Sequence, residues 1–158
     1  MKTKMLVIVG VVLLLFVGLF AANQYKNKQA TKGVDNPYDK DDLHQETIKL
    51  LKEPLYNNII VPSDLEDEIA SGEATTVYFF SPTCSYCQKT TPVVVPLTEE
   101  LDIEMKKMNL LEYDKMDKYG IEGTPTIVHY EGGEEVARIV GYHEEDDFKV
   151  FFDEYVLN

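Results

Sequence analysis

The chain has 158 residues, enough for one domain and an appendage, and its 44% apolar content supplies a sizeable core without any tryptophan. Charge is unevenly placed: residues 1–32 hold five lysines and no acid, whereas residues 33–158 carry 10 basic and 28 acidic side chains, a formal −18. A surface of that sign repels nucleic acid and anionic headgroups, which excludes a nucleic-acid partner and fits a solvated, solubility-promoting face.

A basic head, residues 1–4, precedes eighteen uncharged residues, Met5 to Ala22. That run is at the short end for crossing a bilayer and on the long side for the apolar core of a signal peptide. Cleavage after Ala22 or Ala21 would put Phe20 or Leu19 where a small residue is needed, and no cysteine lies near the end to carry a lipid. Residues 5–22 are therefore read as an uncleaved single-pass membrane anchor rather than a cleaved leader. Lys2 and Lys4 on one side nearly balance Lys26, Lys28 and Lys32 on the other. The denser head is placed inside the cell, which puts the domain on the extracytoplasmic side of the cell membrane.

Residues 23–55 read as a linker. Asn23 to about Asp39 is a polar tether. Asp41 to Glu53 is a short amphipathic helix with Leu43, Thr47, Leu50 and Leu51 on one face, stopped by Pro54. Residues 56–158 read as the folded domain. Asn58 to Val61 is a first strand, and Ser63-Asp64-Leu65-Glu66 forms a capping box for a helix that Gly72 closes. Thr75 to Phe80 is a continuous β-prone run suited to a central strand. It leads into the only two cysteines, Cys84 and Cys87, and a helix to about Leu101 with a kink expected at Pro92. Ile103 to Leu110 contains a third strand, with Met105 and Met108 in the core, and a short helix follows around Tyr113–Tyr119. Thr126–Tyr130 and Glu135–Val140 form a hairpin through Gly132-Gly133. Glu144 to Val156 is an amphipathic helix with Phe148, Phe151, Phe152, Tyr155 and Val156 on its apolar face. The order β-α-β-α-β-α-β-β-α implies crossovers plus an antiparallel edge: an α/β fold, with a central mixed sheet and helices on both faces.

The chemistry concentrates in Cys84-Ser85-Tyr86-Cys87. A cysteine in the first turn of a helix faces unpaired backbone N–H groups and the positive end of the helix dipole, and both favour its thiolate. Three residues on is nearly one turn, so Cys87 lies beside Cys84 and can close a disulfide with it. A permanent structural bridge around so small a loop restrains the unfolded chain little. A zinc or copper site would need two further ligands, and His44, His129 and His143 are not paired at ligand spacing.

From about Tyr56 to the C terminus the sequence resembles the thioredoxin family. The resemblance rests on a buried strand entering Cys-x-x-Cys, Pro92 five residues beyond, Tyr119-Gly120-Ile121 before Gly123-Thr124-Pro125-Thr126, and Val140-Gly141 ahead of a last helix. It implies that Cys84 is the exposed nucleophile and Cys87 the buried resolving thiol. It also implies that Thr124 and a cis Pro125 pack against the pair, that a substrate chain pairs beside Pro125, and that Gly141 keeps the groove rim open. Ser85 and Tyr86 are candidate substrate contacts. The chain departs from the family where a buried aspartate is common, since Tyr78 stands there, and where tryptophans flank the site, since Phe80 and Thr83 stand there. A lysine at Lys106–Lys107 or a water is a candidate substitute for the missing acid. Ser85-Tyr86 in place of Gly-Pro leaves more N–H groups facing Cys84 and gives a slight lean toward oxidation or isomerisation over reduction. The resemblance thus implies thiol–disulfide exchange on exported proteins, with no dissociable cofactor and an electron partner that is a membrane protein or a small thiol. The alternatives are a non-enzymatic accessory or adaptor factor for export and a metal carrier.

Overall fold

The computed structural model describes residues 2–30 and 33–158. Met1 and Lys32, counted above in the head and the tether, lie outside the described residues, as does Thr31. Helix α1, Lys2–Ala30, contains a 24-residue stretch, Lys4–Asn27, long enough and apolar enough to cross a bilayer, and its most apolar part is not covered by the rest of the chain.

The domain is built on four strands: β1 Thr75–Phe80, β2 Met105–Asn109, β3 Thr126–Glu131 and β4 Glu134–Val140. They lie in the order β2-β1-β3-β4, with β1 parallel to β2 and the other pairings antiparallel. Side chains alternate across β1. Val77 and Phe79 pack with Leu65 of α3 (Pro62–Ser71), while Tyr78 and Phe80 pack beneath α4 (Ser85–Glu100) and α5 (Glu145–Tyr155). Both faces are buried, which is why β1 reads as a continuous β-prone run without polar alternation. α4 is one continuous helix through Pro92 and Pro96.

Beyond Tyr56, three segments differ from the expected local structure. The strand at Asn58–Val61 is reduced to one parallel bridge, Ile59 with Lys107. Asn58 takes a left-handed φ of 55°, and Pro62 already opens α3, so little extended chain remains. The capping box is unused: Val61 caps α3, Pro62 occupies the first turn where no N–H is needed, and Ser63 bonds to Asp64 instead. Around Tyr113–Tyr119 only a 3-10 turn forms, Asp117–Tyr119, closed by Gly120 at φ 57°.

The segment before the domain packs on it. Tyr38 and Leu43 are each 2% exposed, within and just beyond the stretch read as a tether. The buried Asn109 amide donates to the Tyr38 hydroxyl at 3.3 Å and to Thr47 Oγ1 at 3.1 Å. The buried Glu112 carboxylate accepts from the His44 amide at 2.9 Å and from Lys40 Nζ at 3.2 Å. The expected helix over Asp41–Glu53 is consequently only α2, Gln45–Leu50, because the backbone before it is held by Glu112. After it, Glu53 is extended ahead of Pro54, which starts a 3-10 turn to Tyr56. The amide of Asn27, near the end of α1, donates to Leu43 O at 3.3 Å, so the C-terminal end of α1 meets this segment.

Candidate active site

The site forms where β1 ends and α4 begins. Phe80 is the last residue of β1, the Ser81–Cys84 turn reverses the chain, and Cys84 is the N-cap of α4 with its sulfur accepting from the Cys87 amide at 3.2 Å. The turn is fixed locally: the Cys84 amide donates to Ser81 O at 3.1 Å, and the Gln88 amide group donates to Pro82 O at 2.8 Å. The two cysteines are free thiols. Cys84 is half-buried, whereas Cys87 is 1% exposed within the cluster of Tyr78, Phe80 and Val94.

The chain comes back to this point twice. Thr124-Pro125, joined by a cis peptide bond, lies across the pair, and the Cys84 thiol donates to Thr124 O at 3.2 Å. Gly141, just after β4, donates its amide to Pro125 O at 2.8 Å. A Cβ on Gly141 would meet nothing within 4 Å, so an open rim does not require glycine there; its left-handed φ of 91° does. Tyr86 is 57% exposed and Ser85 is exposed, both on the outer side of α4's first turn, with Lys89 Nζ 5.8 Å from the Tyr86 ring centre. Cys84, Cys87, Thr124, Pro125 and Gly141 thus converge, while Ser85 and Tyr86 face solvent.

Electrostatics separate the two thiols. Partial burial raises the Cys84 pKa, but hydrogen bonds from Cys87, Thr124 and the amides of Cys87 and Tyr86 outweigh it and hold the group below its ordinary value. Burial, together with donation to Cys84, pushes the Cys87 thiol up to about 12. Alkylation of the reduced protein with iodoacetamide should therefore modify Cys84 first, with a midpoint below the ordinary value of about 8.5, and spare Cys87 well into the alkaline range. The linked effect on stability has two signs. Cys84 contributes stability that is present above its unfolded pKa and lost as pH falls through its lowered folded value. Cys87 contributes stability that is present below about 8.5 and lost as pH rises toward about 12. Equal alkylation rates at both sulfurs would contradict this division.

Beneath Cys87 stands Tyr78. Its hydroxyl lies 3.4 Å from Cys87 O and 3.1 Å from Thr91 Oγ1, and Thr91 donates to Cys87 O at 2.9 Å. Thr91 was not among the site residues expected from sequence; the only signal for it is its i+4 spacing from Cys87 on the sheet-facing side of α4. Neither lysine considered as a substitute for an acid reaches the thiols. Lys107 Nζ turns to Asn57 O at 3.0 Å, and Lys106 pairs with Glu68. The histidines have structural partners. His129 is buried against Thr76 at 2.9 Å, and His143 bonds to Val140 O at 2.9 Å. Among the described residues no group of three or more His, Cys, Asp or Glu could hold a metal ion.

A dithiol at a helix N-cap, one sulfur reachable and the other enclosed, on a mixed sheet with helices on both faces, is the apparatus of a thiol–disulfide oxidoreductase. The Thioredoxin family model matches residues 58–154. Among curated relatives, the thioredoxin of Chlamydia pneumoniae is 33% identical over 90 residues, covering 56% of this chain and 87% of its own length. That of Rickettsia bellii (strain RML369-C) is 30% identical over 93 residues, covering 57% and 89%. Among solved structures, a mutant thioredoxin from Halobacterium salinarum NRC-1 superposes with a TM-score of 0.51 at 31% identity, covering 59% of this chain and 83% of that one. The chain belongs to the thioredoxin family.

Proposed function

We propose that the chain is a membrane-tethered thiol–disulfide oxidoreductase acting on exported proteins, with a lean to disulfide donation or isomerisation. In this reading residues 1–4 and 5–22 are head and anchor, 23–55 link, and 56–158 carry the chemistry outside the cytoplasm. The Cys84 thiolate attacks a substrate disulfide, a mixed disulfide forms, and Cys87 displaces the substrate thiol; the reverse sequence inserts a disulfide into a reduced substrate. Thr124, Pro125 and Gly141 receive the substrate chain as an added strand, with Ser85 and Tyr86 at its edge. Electrons come from, or go to, a membrane protein or a small thiol.

The observation that carries the reading is the N-cap position of Cys84, whose sulfur accepts a backbone amide while Cys87 stays enclosed. Stabilising the reduced thiolate makes the disulfide a better oxidant. The apolar Lys4–Asn27 stretch supports the tether. A cleft of about 390 Å³ is lined by Asn23 and Asn27 of α1, by Asp42 to Glu46, and by Thr83 next to Cys84.

The test is the reduction potential of the Cys84–Cys87 couple in the full chain, equilibrated with glutathione. The expected value lies between about −120 and −180 mV, the range of disulfide donors and isomerases. A value near about −270 mV would make the chain a reductant and overturn the lean. A couple that failed to equilibrate would favour the adaptor reading.

A further inference from the structure

Among the described residues no side-chain base other than Cys84 itself bonds to the enclosed thiol, and this bears on the second half of the exchange reaction proposed above. Resolution needs the Cys87 thiolate, yet the two hydroxyls beneath it are turned to its carbonyl. Thr91 donates to Cys87 O at 2.9 Å, and Tyr78 lies 3.4 Å from the same oxygen and 3.1 Å from Thr91 Oγ1. Neither oxygen is a base near neutral pH, and burial raises the Tyr78 hydroxyl well above its ordinary value.

The other elements around Cys87 offer nothing better. From α4 there is Cys84, whose sulfur is spent in the mixed disulfide. From the turn before α3 there is Tyr56, which packs on Phe80 at 5.4 Å. From β2 there is Lys107, which burial brings down to about 8 against the opposing effect of Glu99 of α4, but its Nζ is directed to Asn57 O at 3.0 Å rather than to either sulfur. β3 contributes Ile127, and α5 contributes Phe148, Phe151 and Phe152. At the exposed start of α5, His143 and Asp147 face each other at 3.6 Å. The Thr124 and Ser81 segments touch Cys87 without a carboxylate.

We infer that Tyr78 and Thr91 form a neutral floor under Cys87, so that no side-chain base serves the resolving thiol and its proton leaves directly to hydroxide from solvent. The step balances as Cys84–S–S–R plus Cys87–SH plus OH⁻ giving the Cys84–Cys87 disulfide, RS⁻ and water. The mixed disulfide is then long-lived near neutral pH, and its resolution accelerates continuously with pH. Tyr78 is a positioning residue here, fixing what the thiol can reach without touching the reacting sulfurs.

The test uses the reduced full chain and Ellman's reagent. The first equivalent of thionitrobenzoate reports attack by Cys84 and the second reports resolution by Cys87; Cys87→Ser should give the first alone. The expected result is a second-phase rate that rises about tenfold per pH unit through the neutral and mildly alkaline range without a plateau. Tyr78→Phe, which removes only the hydroxyl, should keep that slope. Tyr78→Asp, which places a carboxylate below the thiol, should flatten the profile and speed resolution at least about tenfold in the mildly acidic range. A wild-type plateau with a midpoint below about 8 would reveal a side-chain base and overturn the inference. A Tyr78→Asp profile identical to wild type would do the same. Absence of the first release would overturn the exchange reading and this inference with it, whereas a measured potential of reductant type would leave the inference standing.

Discussion

Replacing Cys84 by serine should abolish exchange, lowering the rate of disulfide transfer to a model substrate by at least about a thousandfold, to the uncatalysed level. Serine keeps the N-cap, since its oxygen can accept the Cys87 amide as the sulfur does at 3.2 Å, so the fold is retained while the nucleophile is lost. Cys87→Ser should behave differently. Cys84 still attacks, because its thiolate is stabilised by the amides of Cys87 and Tyr86 as well as by the Cys87 thiol. With no second sulfur to displace the substrate, the mixed disulfide accumulates and persists on a non-reducing gel. The two variants therefore fail at opposite ends of one reaction. If Cys84→Ser kept activity while Cys87→Ser lost it, the roles of the two sulfurs would be reversed, against 1% exposure at Cys87. If neither substitution altered the biological role, the adaptor reading would replace the redox one.

Much of this arrangement is legible in the sequence because it depends on local signals. Thr75–Phe80 is β-prone at every position, as a two-faced central strand requires, and it is fully buried. Gly132 and Gly133 both take positive φ, as a tight hairpin between β3 and β4 requires. Phe148, Phe151 and Phe152 follow helical spacing and are buried, whereas Tyr155, expected on the same face, is 40% exposed near the end of α5. The parts that sequence reading placed wrongly depend on partners far away along the chain. Asn109 and Glu112 organise Tyr38, His44 and Thr47 across more than sixty residues, and a window around residues 35–47 contains no trace of them. The capping box at Ser63 was a sound local motif, yet Pro62 outcompetes it for the first turn. The floor under Cys87 needed both kinds of information. Tyr78 was visible as a departure from the family pattern, but its pairing with Thr91 is set by how α4 lies on β1.

Phe152→Ala should be strongly destabilising, costing about 3–5 kcal/mol. Phe152 is fully buried, meets Phe151 edge-on at 5.6 Å, and shares its cluster with Tyr78, Phe80, Cys87, Val94 and Val95. Truncation leaves a cavity between α4, α5 and the sheet, and close-packed neighbours on three sides cannot collapse to fill it. For a domain whose whole stability is of the order of 5–15 kcal/mol, this is a large share, and the Tm should fall by more than about 10 °C. Val150, on the same helix but 61% exposed, is the control: its replacement by alanine should change stability by no more than about 0.5 kcal/mol. The two substitutions separate burial from helix propensity, which both affect. A second readout follows from the shared cluster. Burial is the chief cause holding Cys87 near 12, so admitting water beside it should bring that thiol down and make it more reactive to iodoacetamide in the folded variant. A Phe152→Ala protein losing less than about 1 kcal/mol would mean that α5 contributes little to the core. One that lost stability while leaving Cys87 inert would mean that the enclosure of the resolving thiol comes from α4 and the Thr124-Pro125 segment alone.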